Sequence, residues 1–173
     1  MYKRQGLRIG MATAKGLVQG GGQKLIAVPT LDALAYNMAG APGLICPILN
    51  ARRDEVYTAL YCMNDADQLE RLTAYMAVKP QALVEEILEY SDRVCFLGDG
   101  VAVFGPWLSE RLGSQMWTAP LNQMLPKASS IGALALERAL REEYDDLYGC
   151  DLIYVRRSEA EIKWDLMHGT TSV

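Results

Sequence analysis

Residues 6–17, Gly6-Leu7-Arg8-Ile9-Gly10-Met11-Ala12-Thr13-Ala14-Lys15-Gly16-Leu17, have almost no polar face when wound as a helix. At about 100° per residue, Gly6, Leu7, Ile9, Gly10, Met11, Thr13, Ala14, Leu17 and Val18 share one arc of roughly 220°. Only Arg8, Lys15 and Gln19 form a polar strip. A surface helix resting on its own core needs a stripe little wider than about 100°. The arc must therefore be covered from more than one side. Two readings meet that need and do not exclude each other: a central core helix of one lobe, or a helix shared between its own lobe and a partner. Gly6 and Gly10, and again Gly16 and Gly20, stand four apart. Each pair leaves a flat spot for another backbone, at a cost of about 1 kcal/mol of helix propensity per glycine. Glycines inside a helix at that cost usually have a packing reason.

With 173 residues, half of them hydrophobic and 22% charged, the chain is long enough for a globular domain with a core. A net charge of −4 and a pI near 5.1 argue against direct nucleic-acid binding by this chain alone, because such binders carry a basic face. No apolar run of about 18 residues is present to span a bilayer. The N-terminus also lacks the apolar stretch of a signal peptide. Cys46, Cys62, Cys95 and Cys150 are widely spaced, and three lie in apolar, strand-like runs, so reduced core thiols and a cytoplasmic location are expected. The lone histidine, His168, has no metal-ligand neighbour and reads as a solvated tail residue.

After the opening helix, Gly20-Gly21-Gly22 breaks the pattern and Leu25-Ile26-Ala27-Val28 reads as a short buried strand ended by Pro29. Thr30 then caps a helix carrying Leu31, Leu34, Ala35 and Met38 on one face. Leu44-Ile45-Cys46-Pro47-Ile48-Leu49 and Val56-Tyr57-Thr58-Ala59-Leu60-Tyr61 flank the polar turn Asn50-Ala51-Arg52-Arg53-Asp54-Glu55 and predict a hairpin. Pro47 cannot donate to a ladder, so it marks an edge or an irregular point. Arg52, Arg53 and Glu55 are either a solvated turn with weak ion pairs or a polar contact surface for a partner or nucleotide. Residues 64–79 carry no clear period. Pro80 opens a helix through Leu83, Val84, Ile87 and Leu88. Val94-Cys95-Phe96-Leu97 is a buried strand that meets Gly98-Asp99-Gly100 and a helix holding Trp107, Leu108 and Leu112. That turn is either a tight strand-to-helix junction or a phosphate cradle. Ser129 or Ser130 caps a helix with Ile131, Leu134, Ala135, Arg138 and Leu140, ending near Tyr144. Leu152-Ile153-Tyr154-Val155 reads as a last strand, leading through Arg156 and Arg157 to a capping box, Ser158 with Glu161, before Ile162 and Trp164.

Four of these stretches together resemble the TsaB (YeaZ) family, the dimerisation subunits of the bacterial complex that makes threonylcarbamoyladenosine in tRNA. They are Gly-Leu-Arg-Ile-Gly-x-Ala-x-Ala-Lys-Gly-Leu from Gly6, Ala-Arg-Arg-x-Glu-Val-Tyr from Ala51, Gly98-Asp99-Gly100, and the Glu-Ala-Glu tail from Glu159. The family has aspartate where Asn50 stands. It also has a glycine-rich segment where Met1-Tyr2-Lys3-Arg4-Gln5 stands, so the resemblance implies an N-terminally truncated chain. It implies an α/β fold of the actin/hexokinase/Hsp70-like (ribonuclease H-like) kind, with most of the first lobe missing. Residues 1–39 are then a remnant of that lobe, as helix, strand and helix, and residues 40–173 the second lobe.

The resemblance further implies a non-catalytic subunit that holds a TsaD-like catalytic subunit, or a second copy of itself as a homodimer, through Gly6, Leu7, Ile9, Gly10, Met11, Thr13, Ala14 and Leu17. A TsaE-like ATPase is a further expected partner, and tRNA is met only indirectly. No cofactor is expected on this chain alone, with ATP or ADP at the complex interface. The residues fit that picture. No histidine base, paired metal ligands, Ser-His pair or Walker A motif appears, so catalytic and metal residues are expected to be none. The alternatives are a glycopeptidase-like hydrolase and an ATPase or small-molecule kinase of the same fold.

Overall fold

The structure is a computed structural model describing residues 2–90 and 93–156, with Trp164 and Met167. The expected closing element from Ser158 to Glu161, together with Arg157, Ile162 and His168, lies outside the described residues.

Strand β1 (Leu44–Arg52) is the axis of the sheet. Its two edges are used differently. On one edge β2 (Glu55–Thr58) and β3 (Tyr61–Met63) pair antiparallel in a single register, Thr58 opposite Ile48 and Tyr61 opposite Ile45. They are one strand interrupted at Ala59 and Leu60. Outside them run β4 (Leu69–Arg71) against β3 and β5 (Met76–Val78) against β2. On the other edge β6 (Val94–Leu97) lies parallel to β1, and β7 (Met116–Thr118) lies parallel to β6. Parallel neighbours need crossovers. Here these are α3 (Pro80–Tyr90), leading into β6, and α4 (Val101–Leu112), leading into β7. Read through its interruptions, the sheet has five ribbons, β4/β5, β2/β3, β1, β6 and β7, and only the second runs against the others.

Both faces are covered, which is why β6 is apolar at every position and wholly buried. Toward α3 and α4, Cys46, Ile48 and Phe96 meet Leu83, Ile87, Leu108 and Leu112. On the other face Ile45, Tyr61, Cys95 and Leu97 meet Leu31, Leu34 and Ala35 of α2 (Thr30–Tyr36). Thus α2, which precedes residue 40, packs into the same core as the strands that follow it. Helix α5 (Ala128–Leu140) lies against α2. Asn37 ties them: its amide donates to the carbonyls of Gln123 and Leu125, both 2.8 Å, and its oxygen accepts the Ser130 hydroxyl at 2.6 Å.

Several expectations are corrected. Of the two readings of Pro47 the irregular point holds: it lies in the central strand, and in the shared register it falls opposite Ala59, where the partner strand breaks. Residues 64–79 hold β4 and β5. The run 25–28 makes one bridge, Leu25 to Asp145, because the strand needs a neighbour that the described residues do not supply. Residues 152–155 form no strand, for the same reason. The hairpin turn is tighter than expected, β1 running through Arg52 and β2 starting at Glu55. Neither serine caps α5. Lys127 is the N-cap, and Ser130 turns inward to Asn37.

Candidate functional site

Helix α1 (Tyr2–Gly21) has the form its sequence predicts and extends beyond it at both ends. None of its described residues is buried. Leu7 is 55%, Ile9 67% and Leu17 70% exposed, while Met11 and Ala14 are half-buried and Thr13 is exposed. A Cβ added at Gly6, Gly10, Gly16 or Gly20 would meet nothing within 4 Å. The wide apolar arc is therefore real, and the described residues cover only its Met11, Ala14 and Val18 part, and that only in part. The core-helix reading is not realised within the described chain.

Polar ties hold α1 to the lobe. Arg8 Nε donates to the Tyr154 hydroxyl at 3.0 Å, and Lys24, just past the helix, lies 5.4 Å from the centre of the Tyr144 ring. A shallow open groove lies beside Lys24, lined by Ile26, Leu136, Ala139 and Tyr144.

The second group of predicted site residues sits at one end of the sheet, where the structure brings the hairpin and the glycine turn together. The Asn50 amide donates to Asp99 Oδ1 at 2.8 Å, and the Arg52 amide donates to Asn50 Oδ1 at 2.9 Å. An amide oxygen is enough for that turn contact, so asparagine in place of the family's aspartate keeps it. Glu55 accepts Arg156 Nη1 at 2.8 Å. Because Tyr154 holds Arg8 and Arg156 holds Glu55, residues 154–156 run between α1 and the hairpin end. Arg52, Arg53 and Asp99 are exposed.

Gly98 and Gly100 are accounted for by close approach: a Cβ on either would run into the carbonyl oxygen of Ile48, and Gly98 has a φ of +105°. The amides at the start of α4 are engaged within the chain, Gly100 with Ile48, Val101 with Gly98, and Val103 and Phe104 with Gly100. That is the geometry of a tight strand-to-helix junction.

Sequence reasoning missed two clusters, both of which join residues far apart in the chain. Arg138 pairs with both oxygens of Asp145, at 3.2 and 2.9 Å. Together they grip Ala27, whose amide donates to Asp145 Oδ2 at 2.6 Å and whose carbonyl accepts Arg138 Nη1 at 3.1 Å. The hydrogen bonds from Arg138 and then from Ala27 hold the Asp145 carboxyl below its usual range. In the second cluster, the Tyr61 and Tyr75 hydroxyls both donate to Asp32 Oδ1 at 2.7 Å. Only Arg138, on the apolar-periodic helix α5, offered any advance signal.

Burial pushes the Cys46 and Cys95 thiols up to about 12, which leaves them protonated. Among the described residues no three His, Cys, Asp or Glu side chains are grouped to hold a metal, and no helix is long and apolar enough to cross a membrane.

A sheet with this strand order, one reversed ribbon and helices on both faces is the ribonuclease H-like lobe from which actin, hexokinase and Hsp70-like proteins are built. A profile of the family described as TsaD, tRNA N6-adenosine threonylcarbamoyltransferase, matches residues 4–164. The tRNA threonylcarbamoyladenosine biosynthesis protein TsaB of Bacillus subtilis (strain 168) is 33% identical over 159 residues, covering 92% of this chain and 67% of that protein. The chain belongs to this family, in its TsaB (YeaZ) group. Two Pseudomonas aeruginosa structures share the fold at 19% identity: an uncharacterized protein with similarity to the peptidase YeaZ, with TM-score 0.68 over 88% of this chain and 68% of that one, and YeaZ, with TM-score 0.67 over 87% and 68%.

Proposed function

We propose that the chain is a non-catalytic subunit in the biosynthesis of N6-threonylcarbamoyladenosine in tRNA, and that it binds and supports a TsaD-like catalytic subunit through α1. The observation that carries the proposal is the uncovered face of that helix. Leu7, Ile9 and Leu17 stand in solvent beside four glycines with open space over them. An apolar surface of that kind, rimmed by Arg8 and Lys15, favours a protein partner. A standard interface buries about 1,600 Å² in total, and an arc of this width contributes to such an area. The catalytic subunit then transfers the threonylcarbamoyl group to the adenosine beside the anticodon. This acidic chain touches tRNA only indirectly.

Nucleotide, on this reading, lies at the joint surface with the catalytic subunit, since the Gly100 and Val101 amides at this chain's own glycine turn already donate within the chain. Arg52 and Arg53 at the exposed hairpin tip are its polar contact residues, and a TsaE-like ATPase is a further partner of the assembly.

The test is capture of a TsaD-like subunit by the wild-type chain, by Leu7→Glu and by Gly10→Leu. Capture by wild type and its loss in both variants, each still folded by circular dichroism, is the expected result. Equal capture by all three would overturn the α1 interface. Saturable ATP binding by the chain alone, without capture, would favour a kinase or ATPase of the same fold.

A further inference from the structure

Because no residue of α1 with described burial is buried and only Met11, Ala14, Lys15 and Val18 are half-buried, apolar packing contributes little to setting its direction. Its pose rests on residues 22–29, which join it to α2, and on what grips them. Three contacts do so at one place. The Asp145 amide donates to the Leu25 carbonyl at 2.8 Å, the Ala27 amide donates to the Asp145 carboxylate at 2.6 Å, and Arg138 donates to the Ala27 carbonyl at 3.1 Å. Both backbone groups of Ala27 are thus held by one ion pair, whose halves sit on α5 and on the segment just after it. Arg138 and Asp145 are also bonded to each other twice, so neither is free to swing away. The groups are only partly exposed, at 30% and 27% of their side-chain surfaces, where charge-assisted hydrogen bonds are stronger than on an open surface.

We infer that the Arg138–Asp145 pair is a positioning device for the partner helix: by clamping Ala27 it sets the angle at which α1 leaves the lobe and so presents its apolar arc already oriented. A helix held in its bound direction loses less freedom on association than one swinging on a flexible joint. The tie between Arg8 and Tyr154 is a second hold, nearer the other end of α1. The inference rests on the reading of α1 as the partner surface, but the device itself can be observed without any partner.

The experiment uses the full chain as wild type, Asp145→Ala and Arg138→Gln. Nitrogen-15 relaxation of the free chain is measured first, comparing α1 amides with those of β1 and β6. In the wild type the two groups should tumble as one body. In either variant the α1 amides should show added independent motion while the sheet amides keep their values, a separation that a general loss of stability would not produce. Affinity for a TsaD-like subunit should then fall about tenfold or more, mainly through slower productive association. If α1 tumbles with the sheet in both variants, or if both variants lose the sheet's native spectrum, the clamp is not a positioning device and the inference fails. If α1 loosens as expected but wild type itself captures no TsaD-like subunit, the inference about pose stands and the partner assignment falls.

Discussion

At the hairpin tip, Arg52, Arg53 and Asp54 have φ values of 62°, 56° and 57°, three successive non-glycine residues in the left-handed region. Arg53 and Asp54 are the two central residues of a tight hairpin whose ladder skips one position between Asn50 and Arg52. A two-residue turn with both φ values positive matches the right-handed twist of the flanking strands, and Asn-Gly or Asp-Gly is its usual sequence. Here an arginine and an aspartate are held in it, at a cost of about 1 kcal/mol or more each. Asp54→Gly is expected to raise stability by about 1 kcal/mol in urea unfolding, with the hairpin register unchanged. The missing glycine is also why the sequence suggested a longer, looser turn. The strain keeps two arginines at an exposed tip, where the proposed polar contact needs them.

Among elements, α1 and α2 are held by opposite means. For α1 the open space over its glycines allows a sharp expectation: Gly10→Ala should stabilise the helix of the free chain by about 1 kcal/mol, because alanine adds propensity and meets no clash. In the presence of a TsaD-like subunit the same methyl would fill the flat spot. Helicity should rise while affinity falls, and circular dichroism with a binding titration reads both. Tighter binding would show that no backbone approaches there.

Helix α2 is held by a core face and by the Asp32 carboxylate under two tyrosine hydroxyls. Burial first, and then the Asp32 charge, push Tyr61 above the ordinary tyrosine range; burial and the Asp32 hydrogen bond do the same for Tyr75. A group whose folded pKa is raised supports the fold fully below its unfolded value, about 10 for tyrosine, and withdraws that support as pH climbs toward the folded value. Stability should thus hold up to about pH 10 and then fall. Tyr61→Phe should cost about 1 kcal/mol at neutral pH and flatten part of the alkaline loss, as seen in denaturant midpoints collected across pH.

For the whole molecule, the division of labour is between a lobe with two buried cores and a helix outside both. Deleting residues 1–21 is expected to leave the cooperative unfolding of the lobe in place, with the melting temperature within a few degrees of the full chain, and to abolish capture of a TsaD-like subunit. Collapse of the lobe would mean that α1 supplies stability its exposed surface does not show.

Much was written locally in the residues. The over-wide apolar arc of α1, the continuous apolar run of β6 and the helix opened by Pro80 depend only on side-chain spacing, and each appears where its period predicts. The sequence also marked a turn at Gly98, but left its role open, and only the structure shows why glycine is needed there: the chain passes against the Ile48 carbonyl. Tertiary structure decided what periodicity does not carry. It placed Pro47 in the central strand, because the partner breaks at Ala59. It left residues 25–28 and 152–155 without a ladder, because a strand exists only where another backbone lies beside it. It joined Ala27, Arg138 and Asp145 into one clamp across a separation of 118 residues. Apolar spacing is a property of neighbours in the chain, whereas hydrogen-bond partners are a property of neighbours in space, and only the fold brings those together.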